Sequence, residues 1–219
     1  MKHKASLALL PLVVLWGCSG TTTAETSTPT SAPTVDFSES ATTTQVEFTI
    51  DSTSGMDLSI YTPDTSAYYF VEDDHGLLKG LTFQEALKIY ASDSFTGVLF
   101  YGYPTCAFCN EALPTLIDVA SANGQAFYYV NVHMDGYSIT DDDLASFEDY
   151  AYAYYQDDGQ GGKSFYVPTV FAIKDGQILD VHTGLLDDMT IDTSEPLTSQ
   201  AYEELFNIYQ GLYDLVYSD

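Results

Sequence analysis

The chain has 219 residues, 45% of them apolar and 14% aromatic, enough to pack one core of moderate size. Six Lys and no Arg stand against 32 Asp and Glu, a formal net charge of −26. Such a field repels phosphates and anionic headgroups, which excludes nucleic-acid binding; solubility through self-repulsion is its plainest meaning, with a saline habitat, a basic partner or weak cation binding as sharper alternatives.

Residues 1–17 read as a signal peptide. Lys2, His3 and Lys4 make a basic start, and Ala5–Leu15 is an apolar run too short to stay in a bilayer as a spanning helix. It ends in Leu15-Trp16-Gly17-Cys18, which resembles the bacterial lipobox, with Trp16 bulkier than that pattern prefers. Lipidation of Cys18 would anchor the chain to the membrane by more than one acyl chain. An ordinary signal peptide with an incidental Cys is the alternative. Removal of Lys2 and Lys4 with the leader takes the charge from −26 to −28. Of three cysteines, lipidation of Cys18 leaves two, spaced three apart. Residues 18–45 carry that Cys and a stretch dominated by Thr, Ser, Ala and Pro, which cannot build a core. They form a stalk whose coil dimension is roughly 30 Å. The expected location is the outer face of a bacterial cell membrane, of the Gram-positive kind, with the lipid as tether.

Residues 46–219 form the folded domain, opening with an extension over 46–64. There Val46, Phe48 and Ile50 alternate, as do Met56, Leu58 and Ile60, around a turn at Asp51–Gly55, which predicts a hairpin. Tyr68–Val71 reads as a short strand. Thr82–Tyr90 reads as a helix capped by Thr82, with Glu85 closing a capping box. Val98–Tyr101 is continuously apolar, the mark of a buried central strand. A helix follows from Cys106 to about Ser121, then a strand over Ala126–Val132. Asp141–Tyr155 is helical, with Leu144, Phe147, Ala151 and Tyr154 on one face and three Asp at its positive end. Thr169–Ile173 and Gln177–Val181 flank Lys174-Asp175-Gly176, a hairpin signal. The last helix, about Leu197–Val216, is striped by Ala201, Leu205, Ile208, Leu212 and Leu215. The order is β-α-β-α-β-α-β-β-α, preceded by the hairpin.

The chemistry concentrates in Tyr103-Pro104-Thr105-Cys106-Ala107-Phe108-Cys109, between the buried strand and its helix. Cys106 falls at the helix's first turn, where unpaired N–H groups and the dipole stabilise a thiolate. A two-residue gap puts both sulfurs on one turn, within reach of a disulfide. Cys109, Leu113, Leu116 and Ala120 share one apolar stripe, so Cys109 faces the core and Cys106 projects from the end. The exposed thiol attacks and the buried one resolves. Pro114 lies inside the helix and removes the bond to the Asn110 carbonyl.

A Cys-x-x-Cys at a strand-to-helix turn, with Pro114 eight residues beyond Cys106, resembles the thioredoxin superfamily. Val167-Pro168-Thr169 before the hairpin is similar to that family's cis-proline loop. The likeness runs over roughly residues 65–217. Pro104-Thr105-Cys106 with Leu113-Pro114-Thr115-Leu116 is also similar to the thioredoxin-like bacteriocin transport accessory proteins. The resemblance implies an α/β thioredoxin fold, a central mixed sheet flanked by helices, here with an N-terminal β extension. It implies that Pro168 is cis beside the Cys pair. Val167 would then offer its backbone to an extended substrate, with Tyr103 and Pro104 bordering it. The chain departs from the family at Thr105, where a Trp is familiar, and at Ala107-Phe108 in place of Gly-Pro. No carboxylate lies in Val98–Tyr101 beneath Cys109, and Glu111 points elsewhere on the helix, so no base for Cys109 is identified.

Half a zinc site is the other meaning of Cys-x-x-Cys, but His75, His133 and His182 are dispersed, without paired spacing, and read as surface residues. The acidic clusters at 73–74, 141–143 and 157–158 lack the spacing of a calcium loop. The expectation is a monomeric thiol–disulfide oxidoreductase needing no metal or organic cofactor. Its partners would be exported protein thiols and disulfides and a further redox protein. The alternative is a non-catalytic accessory lipoprotein of an export system whose Cys pair is a structural disulfide. With no Lys or Arg near Cys106 and an acidic surface, an extreme oxidant is disfavoured.

Overall fold

The computed structural model describes residues 46–187, 189 and 195–218. The expected signal peptide, Cys18 and the stalk lie outside them. The extension is a hairpin of β1 (Thr49–Asp51) and β2 (Leu58–Ile60), antiparallel with Thr49 opposite Ile60. It is shorter than the apolar alternation because Asp51 ends it: Oδ1 accepts from the Thr53 N–H (2.9 Å) and hydroxyl (2.6 Å), turning the chain away. Beyond β2, Tyr61 exchanges backbone bonds with Gly80 at 2.9 and 2.8 Å. This fastens the extension to the edge of the main sheet. A Cβ on Gly80 would lie 2.6 Å from the Tyr61 ring, so the glycine lets that ring lie on bare backbone.

Tyr68–Val71 is not a strand. The Tyr68 N–H bonds back to the Thr65 carbonyl, and the Tyr69 N–H is taken by the Asn110 side chain at 2.6 Å, so no ladder forms. The first strand of the main sheet is β3 (Leu78–Leu81), whose apolar pattern is interrupted in sequence by Lys79 and Gly80. Helix α1 (Phe83–Tyr90) is capped by the Thr82 hydroxyl, which accepts from the Glu85 N–H at 3.1 Å. Glu85 does not complete a capping box. One of its oxygens accepts from the Ser59 N–H at 3.0 Å and the other pairs with Lys88, tying the helix to the hairpin.

Strand β4 (Gly97–Gly102) is buried throughout and feeds α2 (Ala107–Asn123), which ends at Gly124 in the left-handed region (φ 62°). Strand β5 (Phe127–Asn131) precedes α3 (Asp141–Ala151), where Thr140 and Asp143 form a reciprocal capping box. Phe147 and Ala151 of α3 are buried, whereas Leu144 is exposed. After a 3-10 turn comes a small antiparallel hairpin of β6 (Gln156–Asp157) and β7 (Lys163–Ser164). Strands β8 (Thr169–Lys174) and β9 (Gln177–Thr183) turn through Asp175 and Gly176, both at positive φ. The last helix is α4 (Ser199–Tyr217). Its buried face runs through Ala201, Leu205, Tyr209, Leu212, Tyr213 and Val216, so two tyrosines displace Ile208 and Leu215 from the expected stripe.

The main sheet has the order β3-β5-β4-β8-β9, with β3, β5 and β4 parallel and β8 and β9 each antiparallel to its predecessor. Alternation along β4 divides the core. Val98 and Phe100 face α2 and α4, whereas Leu99 and Tyr101 face α1 and α3. Each fully buried large side chain in these layers contributes about 1.5–3 kcal/mol. Among the described residues no helix is long and apolar enough to cross a membrane.

The extension is held by a polar clasp as well. Asp51 Oδ2 pairs with Lys79 Nζ at 2.7 Å and accepts from the Tyr128 hydroxyl at 3.2 Å. Burial raises the Asp51 pKa, but the bonds from Lys79 and Thr53 outweigh it and bring it down to about 2. A carboxyl depressed on folding contributes stability above its unfolded value and loses it as pH falls through the folded one. Asp51→Asn should therefore cost about 1–2 kcal/mol at neutral pH, after allowance for screening, with the deficit closing between about pH 4 and pH 2. Urea unfolding across that range measures it; a deficit independent of pH would assign Asp51 a packing role alone.

Candidate active site

Strand β4 stops at Gly102 because nothing larger fits. A Cβ there would lie 2.5 Å from the Phe100 ring and 3.1 Å from the Cys109 sulfur. The chain then turns through Tyr103 and Pro104, and the Cys106 N–H bonds to the Tyr103 carbonyl at 3.1 Å. Cys106 has extended backbone (φ −81°, ψ 118°) and is the N-cap of α2: its Sγ accepts from the Cys109 N–H at 3.2 Å. A thiol here occupies the place of the usual Ser, Thr or Asp.

Cys109, Leu113, Leu116 and Ala120 are all fully buried, as their spacing predicts. Cys106 is only 9% exposed, more enclosed than a projecting helix end suggests. The Val167–Pro168 loop covers it. That peptide is cis, and the Val167 carbonyl oxygen accepts from Cys106 Sγ at 3.7 Å. The loop is pinned by the Thr169 hydroxyl, which donates to the Tyr166 carbonyl at 2.6 Å, and by the Gly184 N–H on the Pro168 carbonyl at 2.8 Å. Both cysteines are free thiols.

The two sulfurs differ sharply in acidity. A hydrogen bond from the Cys109 thiol, opposed by burial and aided by the N–H groups of Cys109 and Phe108, lowers Cys106 to about 7. Burial first, then the proton shared with Cys106 and the charge on its sulfur, pushes Cys109 far above the ordinary thiol range. Local dipoles stabilise the Cys106 thiolate although no cationic side chain contributes to that shift.

Tyr103 and Pro104, expected to border a substrate, flank the cap. The Tyr103 ring stands edge-on to His133 with centroids 4.2 Å apart. A bond from the Val132 N–H to the Gly102 carbonyl at 3.1 Å draws His133 to this side. Phe108, within the motif, is exposed, as is Tyr166. His182, read as a surface residue, is half-buried between β9 and α4; its Nε2 meets the Leu185 carbonyl at 2.8 Å and burial lowers its pKa. His75 is in an exposed loop with Asp73. Among the described residues no group of three or more His, Cys, Asp or Glu side chains converges as metal ligands would.

Two features escape sequence reasoning. Asn110 is buried, donating to the carbonyls of Pro104 (2.5 Å) and Cys106 (3.0 Å) while accepting from the Tyr69 N–H, so one amide holds the cap, the helix and the loop at 66–72 together. Glu111 follows it directly, so no local pattern marks the amide as buried. Tyr68 and Tyr129, far apart in sequence, share a hydroxyl–hydroxyl bond of 2.9 Å in the core. Tyr129 in turn stacks on Phe100, the ring beside Gly102. Glu111 is buried on another side of α2, where it lines a groove with Phe70, Leu197 and Tyr202.

These acidities predict alkylation behaviour in the reduced protein. Iodoacetamide should modify Cys106 with a rate that rises through a midpoint near pH 7, since only the thiolate reacts. Cys109 should lag at least ~100-fold at neutral pH, being both buried and protonated. Peptide mass spectrometry separates the two; equal rates would refute the assignment of acidities.

No protein-family model matches the chain, and no curated protein is similar to it by sequence. Solved structures that resemble it are thioredoxins. That of Plasmodium falciparum has 15% identity and a TM-score of 0.31, covering 58% of this chain and 93% of its own. The Aeropyrum pernix thioredoxin has 20% identity and a TM-score of 0.31, covering 59% and 85%. The thioredoxin of Malassezia sympodialis, Mala s 13, has 14% identity and a TM-score of 0.32, covering 59% and 86%. Scores so low add no weight; the strand order, the helix pair on each face, the thiols at the end of β4 and the cis-proline before β8 are the chain's own. On those grounds it has a thioredoxin-like fold: a mixed five-stranded sheet between two helical layers, extended at the N-terminal side by a hairpin.

Proposed function

We propose that the protein is an extracytoplasmic thiol–disulfide oxidoreductase, tethered to the membrane through Cys18, that exchanges disulfides with exported proteins through Cys106 and Cys109. The observation that carries this reading is the asymmetric thiol pair: a helix-capping sulfur with its pKa near 7 beside a fully buried one, under a cis-proline loop.

With its pKa lowered to about 7, Cys106 supplies the thiolate at neutral pH. That thiolate attacks one sulfur of a substrate disulfide, and the other leaves as a thiolate and takes a proton from solvent. Cys109 then gives up its proton and attacks Cys106 Sγ. The mixed disulfide breaks, the second substrate thiol departs, and Cys106 and Cys109 are left joined. The substrate gains two electrons and the enzyme pair loses two; the reverse sequence oxidises a substrate dithiol. An extended substrate would pair with the Val167 backbone, with Tyr103 and Pro104 beside it. The protein works as a monomer, and a second redox protein returns the pair to its starting state.

Trapping tests the reading. Cys109→Ser leaves attack intact and removes resolution, so in the native cell it should accumulate covalent complexes that a reductant collapses. Cys106→Ser should accumulate few. If Cys109→Ser yields none while correctly anchored, the pair is a structural disulfide in an accessory binding protein. The tether is tested separately: Cys18→Ala should release the protein from membranes or block its processing, whereas unchanged partitioning of the processed protein would dismiss the lipid anchor.

A further inference from the structure

Two hollows of about 300 and 380 Å³ lie along α2, where the loop over 70–75 and the start of α4 come against it. Phe70 and Pro114 line both, so the two meet as one groove. Phe70, Pro114, Ile117 and Leu197 give it an apolar floor. The carboxylates of Glu72, Asp73, Asp118 and Glu203, all exposed residues, stand along its rim. Glu111, also in the lining, is buried and already partnered.

Both walls are pinned, so the groove is formed before anything enters it. The Tyr69 N–H is held by the Asn110 side chain at 2.6 Å, and the Tyr202 hydroxyl donates to Asp118 Oδ2 at 2.9 Å. A preformed site loses less freedom on binding. Its charge is one-sided. Among the described residues no Lys lines the groove; the His75 ring pairs with Asp73 at 3.1 Å, and Glu72 and Glu203 have no partner. The general acidity of the chain accounts for carboxylates anywhere on the surface, but not for four of them set round an apolar floor. That arrangement complements a segment in which cationic and apolar side chains alternate: Lys or Arg heads reach the rim while their neighbours cover the floor. A second copy of this chain, itself at −26, would be repelled, as would an anionic headgroup.

We propose that this groove docks a cationic, apolar-flanked segment of the exported protein whose disulfide is exchanged at Cys106. The inference rests on the exchange reaction proposed above and names the class of partner it serves. Pro114 lies eight residues beyond Cys106. That is about 12 Å along the helix, a span that roughly four extended residues cover. A segment seated on Phe70 and Pro114 can therefore hold a nearby cysteine of the same partner at the Cys106 sulfur. The long-range field of the chain draws such a partner in, and the floor selects it from other cations.

The probe is the peptide acetyl-Cys-Gly-Gly-Gly-Lys-Leu-Lys-Phe-Lys-amide, its thiol activated as a thiopyridyl disulfide. In the full-length reduced protein, Cys106 attacks the peptide sulfur and thiopyridone leaves. Cys109 then attacks Cys106 Sγ, the peptide departs as a thiol protonated from solvent, and the protein disulfide closes. The initial rate of thiopyridone release should saturate with peptide. Glu72→Gln/Glu203→Gln should raise the half-saturating concentration roughly fivefold at low salt, with the limiting rate unchanged. That gap should close at about 0.5 M salt. Glu148→Gln/Asp149→Asn, equal in charge but on α3 across the sheet, should stay within about twofold of wild type. Ser in place of Leu and Phe in the peptide should weaken saturation by roughly tenfold. Equal loss in the two double variants would reduce the effect to overall charge and overturn the proposal, as would undiminished saturation by the Ser-substituted peptide. A wild-type dimer in sedimentation velocity that excludes the peptide would give the groove to a second copy, with the same consequence. The small neutral reagent 4,4′-dithiodipyridine needs no groove. Thiopyridone release from it without saturation by the peptide would overturn the docking alone; no release from it would remove the exchange reaction, and this inference with it.

Discussion

The bond from the Cys109 N–H to the Cys106 sulfur is where fold and reactivity meet. An N-cap must accept from the first turn of its helix, and a neutral thiol is a weak acceptor compared with the oxygens that usually serve. A thiolate is a strong one. The start of α2 is therefore better capped when Cys106 is ionised, and the helix stabilises the ionised form in return. Much of the neighbouring structure follows from keeping that geometry. Gly102 lets β4 approach the Cys109 sulfur, Asn110 fixes the carbonyls on both sides of the turn, and the Val167 carbonyl closes over the top.

What the sequence made legible follows the strength of local patterns. The continuous apolar run of β4, the four-residue phase of Cys109, Leu113, Leu116 and Ala120, and the Asp-Gly turn between β8 and β9 each impose one answer on a short segment, and each is found. Tyr68–Val71 shows the opposite case. Apolar residues there anchor a loop through the bond between Tyr68 and Tyr129, a long-range pairing invisible to a local pattern. β3 was hidden because Lys79 and Gly80 have tertiary employment, the one paired with Asp51 and the other lying under the Tyr61 ring. On α4 the expected stripe follows the aliphatic residues through Ile208 and Leu215, whereas the buried face is rotated slightly so that Tyr209 and Tyr213 lie deep in the core. Glu85 was placed in a capping box, but the Ser59 N–H competes for its carboxylate from a segment 26 residues away.

The candidate site divides along the same line. The thiol pair and Pro168 carry their spacing in the sequence, while Asn110, Thr169 and Tyr129 matter only once distant segments meet. Asn110 is the clearest example. Its side chain reaches the Pro104 carbonyl just before Cys106 and the Tyr69 N–H in another loop, so one amide satisfies backbone groups that the turn would otherwise bury unpaired. Nothing in a single sequence distinguishes that Asn from one facing water.

The acidity of the chain bears on a different part of the problem than the thiol does. A formal charge of −26 sets a long-range field that favours cationic partners and weakens with salt. Left to that field, the Cys106 pKa would rise, since a negative surface opposes another negative charge. It falls instead, because the groups that act on it are neutral donors within hydrogen-bond reach: the Cys109 thiol and two N–H groups. Donors fixed at contact distance in a nearly buried pocket are screened far less than charges spread over a surface. Sulfur reactivity is thus decoupled from the charge of the shell. Substitutions among the 32 acidic residues can retune which partners approach while the cap keeps the thiolate poised. A charge-paired thiolate, leaning on a Lys or Arg at the surface, would not allow that separation, and among the described residues no Lys contributes to the Cys106 shift.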